Sequence, residues 1–187
     1  MLVISVKILQ HRIIKAPHDM QSLNSLHDKL LLCCLNIFNI WALQARPLSL
    51  SEIALAHPVF GDLLDYTKVR IFNVPFVFWQ PVGMFIAPNG YIFCHPRNYS
   101  LDFSQESLSY QAIFIHELTH ILQHQQGQSV LLKGLLLQTA YYLSFKKYNP
   151  YTYQLKENKA FASYNIEQQG DIARDIFLGK IPNILNG

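Results

Sequence analysis

The sequence contains little charge and no segment rich in lysine or arginine. Its 187 residues include 15 Lys and Arg against 12 Asp and Glu, a formal net charge of only +3 with neutral histidines. Proteins that bind nucleic acid usually concentrate their basic residues on one face or in one segment. We therefore expect no nucleic-acid partner.

Cysteine is also scarce. Of the three cysteines, Cys33 and Cys34 are adjacent and Cys94 stands alone. This spacing excludes both a disulfide framework and a Cys-x-x-Cys metal site. We expect the thiols to be buried or to face a membrane.

The apolar run at residues 30–43 is too short for a comfortable transmembrane helix, which needs about 20 apolar residues. It has the length of the apolar region of a signal peptide, and Lys29 precedes it. If translation starts at Met20, residues 20–45 are a signal peptide, cleavage follows Ala45, and the protein is periplasmic or secreted. The alternatives are a helix of the core or a retained anchor. Without export we expect a cytoplasmic protein.

The chain does contain enough apolar material for a single core. Half of its residues are hydrophobic, and its length fits one domain at residues 46–187 behind a leader or N-terminal helix at residues 1–45. The patterning predicts an α+β fold, mainly helical, with a small antiparallel sheet ahead of the longest helix. We expect strands at residues 69–72, 76–79 and 91–94.

Four helices are predicted. The first begins at Ser49 or Ser51 and is closed by Gly61. The second covers residues 104–126, with Ser104 or Ser107 as its cap. The others cover residues 130–145 and 157–178, the last with a break near residues 164–165. Because residues 130–145 are very apolar, we expect a central buried helix there. Residues 151–155 are expected to be extended.

The chemistry of the chain is indicated by the motif His116-Glu117-Leu118-Thr119-His120. On a helix, two histidines four residues apart project from one face and can share one metal ion. Two imidazoles and a third ligand suit Zn²⁺ and leave its fourth position for water. Glu117 is placed to accept a proton from that water as it attacks a carbonyl.

The third ligand must come from further along the chain. A site of the form HExxHxxGxxH is excluded because position 126 is Gln126. The two downstream glutamates are Glu157 and Glu167. We favour Glu167 because Asp171, four residues later, can accept the second ring N–H of a ligating histidine. Glu157 is the alternative third ligand. Glu167 and Asp171 would have no metal-related role if they only form a solvated helix face.

His-Glu-Leu-Thr-His followed by Glu-x-x-x-Asp on a later helix resembles the gluzincins, metallopeptidases with two histidines and a glutamate on zinc. The resemblance implies a zincin-like domain with His116, His120 and Glu167 as ligands, Glu117 as general base and Asp171 as the partner of a ligand. It also implies that the strand before the motif helix, residues 91–94, is a sheet edge that pairs with substrate. The group that stabilises the oxyanion has no matching motif, and the residues considered for it are Tyr164, Tyr153 and His95.

A looser resemblance covers residues 48–178. LSEIALA, VFG, APNG, the HELTH helix and NIEQQ resemble segments of small bacterial VgrG- or Rhs-related proteins that are encoded near type VI secretion genes. Such proteins usually have alanine at the position of Gly170, which is a departure here. This resemblance implies a secretion or envelope context rather than a substrate.

These observations lead to three functional hypotheses. The first is a zinc-dependent hydrolase that cleaves an amide bond in a protein or a peptidoglycan peptide, in a cleft rich in aromatic residues such as Tyr91, Tyr151 and Tyr153. The second is a non-catalytic metal-binding protein of the envelope or secretion machinery. The third, which no interaction motif supports, is an immunity or adaptor protein. The sequence does not indicate an oligomeric state.

Overall fold

The computed structural model describes residues 45–185. They form four α-helices and one four-stranded sheet, with short 3₁₀ turns between them. The helices are α1 (Leu50–Phe60), α2 (Leu108–Gln125), α3 (Val130–Leu143) and α4 (Ile166–Phe177), and the strands are β1 (Ala45–Arg46), β2 (Ile71–Phe72), β3 (Phe85–Ile86) and β4 (Ile92–Cys94). The mixed α+β fold class is confirmed. The predicted signal peptide and leader, apart from Ala45, lie outside the described residues.

Of the two predicted caps of α1, Ser49 is the one in the structure. The Ser49 hydroxyl accepts a hydrogen bond from the Glu52 backbone N–H at 3.0 Å, and the Glu52 carboxylate accepts one from the Ser49 N–H at 2.8 Å. This reciprocal capping box satisfies two donors that a helix start leaves unpaired. Glu52 is fully buried and pairs with both terminal nitrogens of Arg46, at 2.7 and 2.8 Å. The ion pair thus joins β1 to α1.

The sheet is mixed rather than antiparallel. Its strand order is β1-β2-β4-β3, in which β2 and β4 run parallel while the two outer pairs are antiparallel. The prediction of an antiparallel sheet was therefore wrong. Strand direction depends on how the chain crosses between β2 and β4, which local patterning does not encode.

The predicted strand at residues 76–79 is also absent. These residues lie in a series of turns between Pro75 and Pro81, where the Gln80 side chain accepts a hydrogen bond from the Phe76 N–H at 2.7 Å. Proline has no N–H for a ladder and restricts the residue before it, so the flanking prolines outweigh the aromatic composition. The antiparallel partner of β4 is instead β3, which the sequence analysis missed.

The core lies between the sheet, α1, α2 and α4. Helix α2 begins at Leu108 with Ser107, one of its two predicted caps, as the N-cap. It does not extend to residue 104 because Asp102 caps a separate 3₁₀ turn at Phe103–Gln105. Helix α4 begins at Ile166, where Asn165 and Gln168 form a second capping box. The predicted helical start at residue 157 was therefore wrong, whereas the expected break near residue 165 is the true helix start. Residues 151–155 form no strand.

Helix α3 contradicts the prediction of a central buried helix. Only Val130 is buried, and most of its leucines are more than half exposed. Its apolar composition predicted burial, but α3 packs on one side only, against α2 and α4.

None of the helices within residues 45–185 is long and apolar enough to cross a membrane. Cys94 is buried, as expected, and its Sγ contacts the Phe72 carbonyl at 3.2 Å.

Candidate metal centre

His116 and His120 project from the same face of α2, with their ring centroids 4.9 Å apart. Glu167, in the first turn of α4, meets them there. Its Oε2 atom lies 3.5 Å from His116 Nε2 and 3.8 Å from His120 Nε2. Among residues 45–185, these three form the one cluster of potential ligands whose donor atoms lie within 4.8 Å of one another.

The second ring nitrogen of each histidine has its own partner. His116 Nδ1 lies 3.0 Å from an Asp171 carboxylate oxygen, and His120 Nδ1 lies 2.9 Å from Gln123 Oε1. Because an ionised carboxylate and an amide oxygen can only accept, each Nδ1 carries the hydrogen. In its neutral form, each imidazole then presents the lone pair of Nε2 toward Glu167. This is the arrangement that orients histidines around a metal.

Gln123 was not identified from the sequence. Its amide nitrogen donates to the Ile166 carbonyl at 3.0 Å and to the Gln169 side-chain oxygen at 2.9 Å, which turns its own oxygen toward His120. Gln169 in turn donates to the Tyr164 carbonyl at 2.8 Å. This buried chain links α2 to the start of α4. The available signal was a polar residue three positions after His120, on the helix face that carries both histidines.

Electrostatic interactions within the cluster stabilise the charged forms of His116 and Glu167. Burial opposes the protonation of His116, but hydrogen bonds to Asp171 and Glu167 raise its pKa to about 10. Burial would raise the pKa of Glu167, yet the hydrogen bond with His116 and the charges of both histidines lower it. Asp171 also pairs with Arg174 at 2.6 Å.

The three donor atoms fit a small tetrahedral cation. Ligands about 2.0–2.1 Å from a tetrahedral Zn²⁺ lie roughly 3.3–3.4 Å apart, close to the separations of Glu167 from the histidines. Two imidazoles and one carboxylate are a common donor set for zinc at a catalytic site. Glu157, the alternative third ligand, is exposed and is not part of this cluster.

Gly170 explains how closely α4 approaches the motif helix. A Cβ atom at this position would lie 2.5 Å from Cε1 of His116 and 2.7 Å from both ring nitrogens. The ring can take its observed place only because residue 170 has no side chain. In a protein with alanine here, the imidazole must lie further from α4.

Glu117 is buried beside the cluster and lines the cleft above it. Burial raises the pKa of its carboxyl group, the charges of His120 and His116 lower it, and Glu167 raises it. The net shift is upward, which makes Glu117 a better proton acceptor than an exposed glutamate.

The cleft runs between the loop that leads into β3 and the helix α3. His116, Glu117, His120 and Glu167 form its floor. Residues on its two walls are mostly apolar, namely Phe76, Val77, Trp79, Met84, Phe85, Ile86, Ala87 and Pro88 on one side and Val130, Leu131, Gly134, Leu135 and Gln138 on the other.

The strand at the edge of this cleft is β3, not the one expected. The predicted edge, residues 91–94, contains β4, which lies inside the sheet between β2 and β3. Strand β3 is last in the sheet order of the described residues, and its residues Phe85 and Ile86 line the cleft. The expected edge was wrong because β3 is too short to be recognised from patterning and displaces β4 from that place.

None of the three residues considered for the oxyanion lines the cleft. Tyr164 is buried and donates to the Gln154 carbonyl at 3.1 Å, and Tyr153 donates to Asp175 at 2.5 Å. The Nδ1 atom of His95 accepts from the Arg97 N–H at 3.2 Å and caps a 3₁₀ turn. The tyrosine that does line the cleft, beside His116 and Glu117, is Tyr151.

The fold and site together define a mixed α+β domain with a two-histidine, one-glutamate centre between two helices. No model of a known protein family matches the chain. Over 136 residues, 72% of the chain, it is 46% identical to the type VI secretion system spike protein VgrG2b of Pseudomonas aeruginosa, of which the match covers only 13%. The solved structure of the effector domain of P. aeruginosa VgrG2b superimposes with a TM-score of 0.66 at 46% identity, covering 72% of this chain and 74% of that one.

The chain therefore belongs to the family of the VgrG2b effector domain. The resemblance to VgrG-related proteins that the sequence indicated is confirmed by this homology.

Proposed function

We propose that the protein is a zinc-dependent hydrolase that cleaves an amide bond in a protein or in a peptidoglycan peptide. The observation that carries this proposal is the position of Glu117. Its carboxylate is buried beside His116, His120 and Glu167 and lines the open cleft above them. A purely structural metal site needs no proton acceptor next to its ligands, whereas amide hydrolysis does.

His116, His120 and Glu167 would hold the zinc, which supplies a Lewis acid that polarises the scissile carbonyl and acidifies water. Glu117 would take the proton from the attacking water and pass it to the leaving amine. Its raised pKa suits both steps, because a base that is too weak cannot take the proton and one that is too strong cannot return it.

Asp171 and Gln123 would act through the histidines. Their contacts to the two Nδ1 atoms keep each ring in one tautomer and one orientation. The double pairing of Asp171 with His116 and Arg174 holds its carboxylate in place.

The edge strand β3 supports an extended peptide as the substrate. A peptide chain in the cleft could pair with the free side of Phe85–Ile86, in the way that peptides commonly add to exposed sheet edges. The scissile amide would then lie across the floor of the cleft, next to Glu117.

Tyr151, and not Tyr164, Tyr153 or His95, is the residue that would stabilise the developing oxyanion. It lines the cleft together with His116 and Glu117. Burial and the charges of Glu167 and Asp171 raise the pKa of its phenol, which keeps the hydroxyl protonated and able to donate.

The proposed setting is type VI secretion. The relative is a spike protein of that system, and this chain corresponds to its effector domain. We propose that the protein works with such a system and acts in the bacterial envelope, periplasmic or secreted, where both candidate substrates occur.

The decisive experiment compares metal content and hydrolysis in three variants. Glu117→Gln should retain about one zinc per chain and lose hydrolysis of peptide and peptidoglycan substrates, because only the proton acceptor is removed. Glu167→Ala should lose most of the metal. The exposed Glu157→Ala is the matched control and should behave as wild type. Full activity in Glu117→Gln would favour the alternative of a non-catalytic metal-binding protein with a contaminating activity.

A further inference from the structure

The side of α3 that faces away from the protein is apolar. Leu132, Leu136 and Leu143 lie on one helical face, with Leu135 beside it, and their exposed fractions are 55%, 60%, 76% and 62%. The outer face of a surface helix normally carries polar or charged residues. Exposed apolar area that is gathered into one patch indicates a binding surface rather than ordinary solvent contact.

A second exposed apolar feature stands across the cleft. Phe78 and Trp79 form an edge-to-face pair at 4.4 Å on the turn before β3, with exposed fractions of 91% and 65%. Trp79 lines the same cleft as Leu131 and Leu135 of α3. We call this tip, together with the outer leucines of α3, the apolar rim.

The two chain segments that carry the apolar rim contain charges of one sign. No Asp or Glu occurs from residue 118 to residue 156, a segment that contains Lys133, Lys146, Lys147 and Lys156. All four lysines are exposed. No acidic residue occurs from residue 66 to residue 101 either, the segment that contains Phe78 and Trp79. The segments that carry the rim are therefore complementary in charge to an anionic surface.

We infer that the apolar rim docks onto the surface of a bilayer that contains anionic lipids. Leucine side chains would enter the boundary between headgroups and acyl chains, Trp79 would lie at the headgroup level, and the lysines would contact lipid phosphates. Helix α3 has 14 residues and is about 21 Å long, which suits a helix lying in the interface and not one crossing a core of about 30 Å.

The charge pattern favours lipid over the other occupants. A second copy of the chain would bring its own lysines against these lysines, because the same uniformly basic segment would face itself. Residues 1–44 carry four basic residues and two acidic ones, so they are not complementary to this surface either. A docked rim would hold the mouth of the cleft against the membrane, so that peptides at that surface reach the floor first.

The test is binding of the full chain to vesicles of phosphatidylethanolamine and phosphatidylglycerol, with phosphatidylcholine vesicles for comparison. The variant is Leu136→Glu with Leu143→Glu. The matched control is Leu101→Glu with Leu108→Glu, two leucines that are 79% and 60% exposed elsewhere on the surface. Both variants gain the same charge and keep the apolar run at residues 30–43. Circular dichroism verifies that both fold.

We expect the α3 variant to lower the partition coefficient at least tenfold and the control to change it less than twofold. Replacing Lys146 and Lys147 by glutamine should weaken binding to anionic vesicles by roughly fivefold per lysine and leave phosphatidylcholine binding unchanged. Equal loss in variant and control, or equal binding to both vesicle types, would overturn the inference. The inference would also be overturned if sedimentation shows that the wild-type protein is a dimer and the α3 variant a monomer. A second copy of the chain would then cover the rim.

Discussion

The Nδ1 atom of His116 lies 3.0 Å from an Asp171 carboxylate oxygen, although the two residues are 55 positions apart in the chain. The contact joins the motif helix to α4 at the point where Gly170 lets the ring approach the backbone. One helix thus supplies both a proposed metal ligand, Glu167, and the residue that orients His116. The candidate metal centre therefore depends on the packing of α2 against α4.

Asp171→Asn should weaken zinc binding by about 10- to 100-fold without unfolding the domain. The amide keeps the shape of the carboxylate but removes the charge that favours the His116 tautomer. Competition against a chromophoric chelator measures the affinity. Asp175→Asn on the same helix, whose carboxylate contacts Tyr153 and Lys180 instead, is the control and should bind zinc as wild type does.

Gln123→Leu should lower the free energy of unfolding by about 1–3 kcal/mol. The substitution removes the donor to the buried Ile166 carbonyl and the acceptor for His120. Urea denaturation of the metal-free protein measures the change, and zinc affinity should fall as well. Gln126→Leu replaces an exposed glutamine at the end of α2 and should alter neither quantity. If both variants are as stable as wild type, the buried chain of amides does not stabilise the fold.

Zinc binding at pH 7.5 should release about one proton per site. The pKa of His116 is raised to about 10 in the folded, metal-free protein, so the ring is protonated at this pH and must lose a proton to become a ligand. Calorimetry in buffers of different ionisation enthalpy counts the protons. A heat of binding that is the same in every buffer would contradict the prediction.

The same shift predicts how pH affects the stability of the metal-free protein. Because the folded pKa of His116 lies above its ordinary value of 6.5, protonation stabilises the fold. This contribution is fully present below pH 6.5 and is lost as pH rises through about 10. The urea concentration at the midpoint of unfolding of the metal-free protein should therefore decrease as pH rises from 6.5 to about 10. Asp171→Asn should make this decrease smaller.

Glu52→Gln should destabilise the domain by about 3–5 kcal/mol, because it leaves the Arg46 guanidinium without its buried partner. Glu52 also accepts from the backbone of Ser49 through one oxygen and of Phe103 through the other, and glutamine can replace only one of these acceptors. Chemical denaturation measures the loss, and Glu106→Gln at an exposed position is the control. Zinc affinity in the folded variant should be unchanged, since this ion pair is not part of the metal centre.

Local sequence rules predicted the parts of the fold that depend on neighbouring residues. The start of α1 was predicted at Ser49 or Ser51 because capping signals are local, and the structure has Ser49 as the cap. In contrast, β3 has two residues, and it forms a strand only because β4 lies beside it. The exposure of α3 was not predictable either, because burial depends on which elements pack around a helix and not on its composition.

The sequence by itself determined that His116, Glu117 and His120 share one helix, because a spacing of one turn is a local property of the chain. It also indicated Glu167 and Asp171, which are four residues apart on a later helix. Only the tertiary structure decided that Glu167 approaches both histidines, that Gln123 orients His120, and that Tyr151 and β3 border the cleft. These are contacts between distant segments, and they arise from the packing of α4 against α2 and of the sheet beside them.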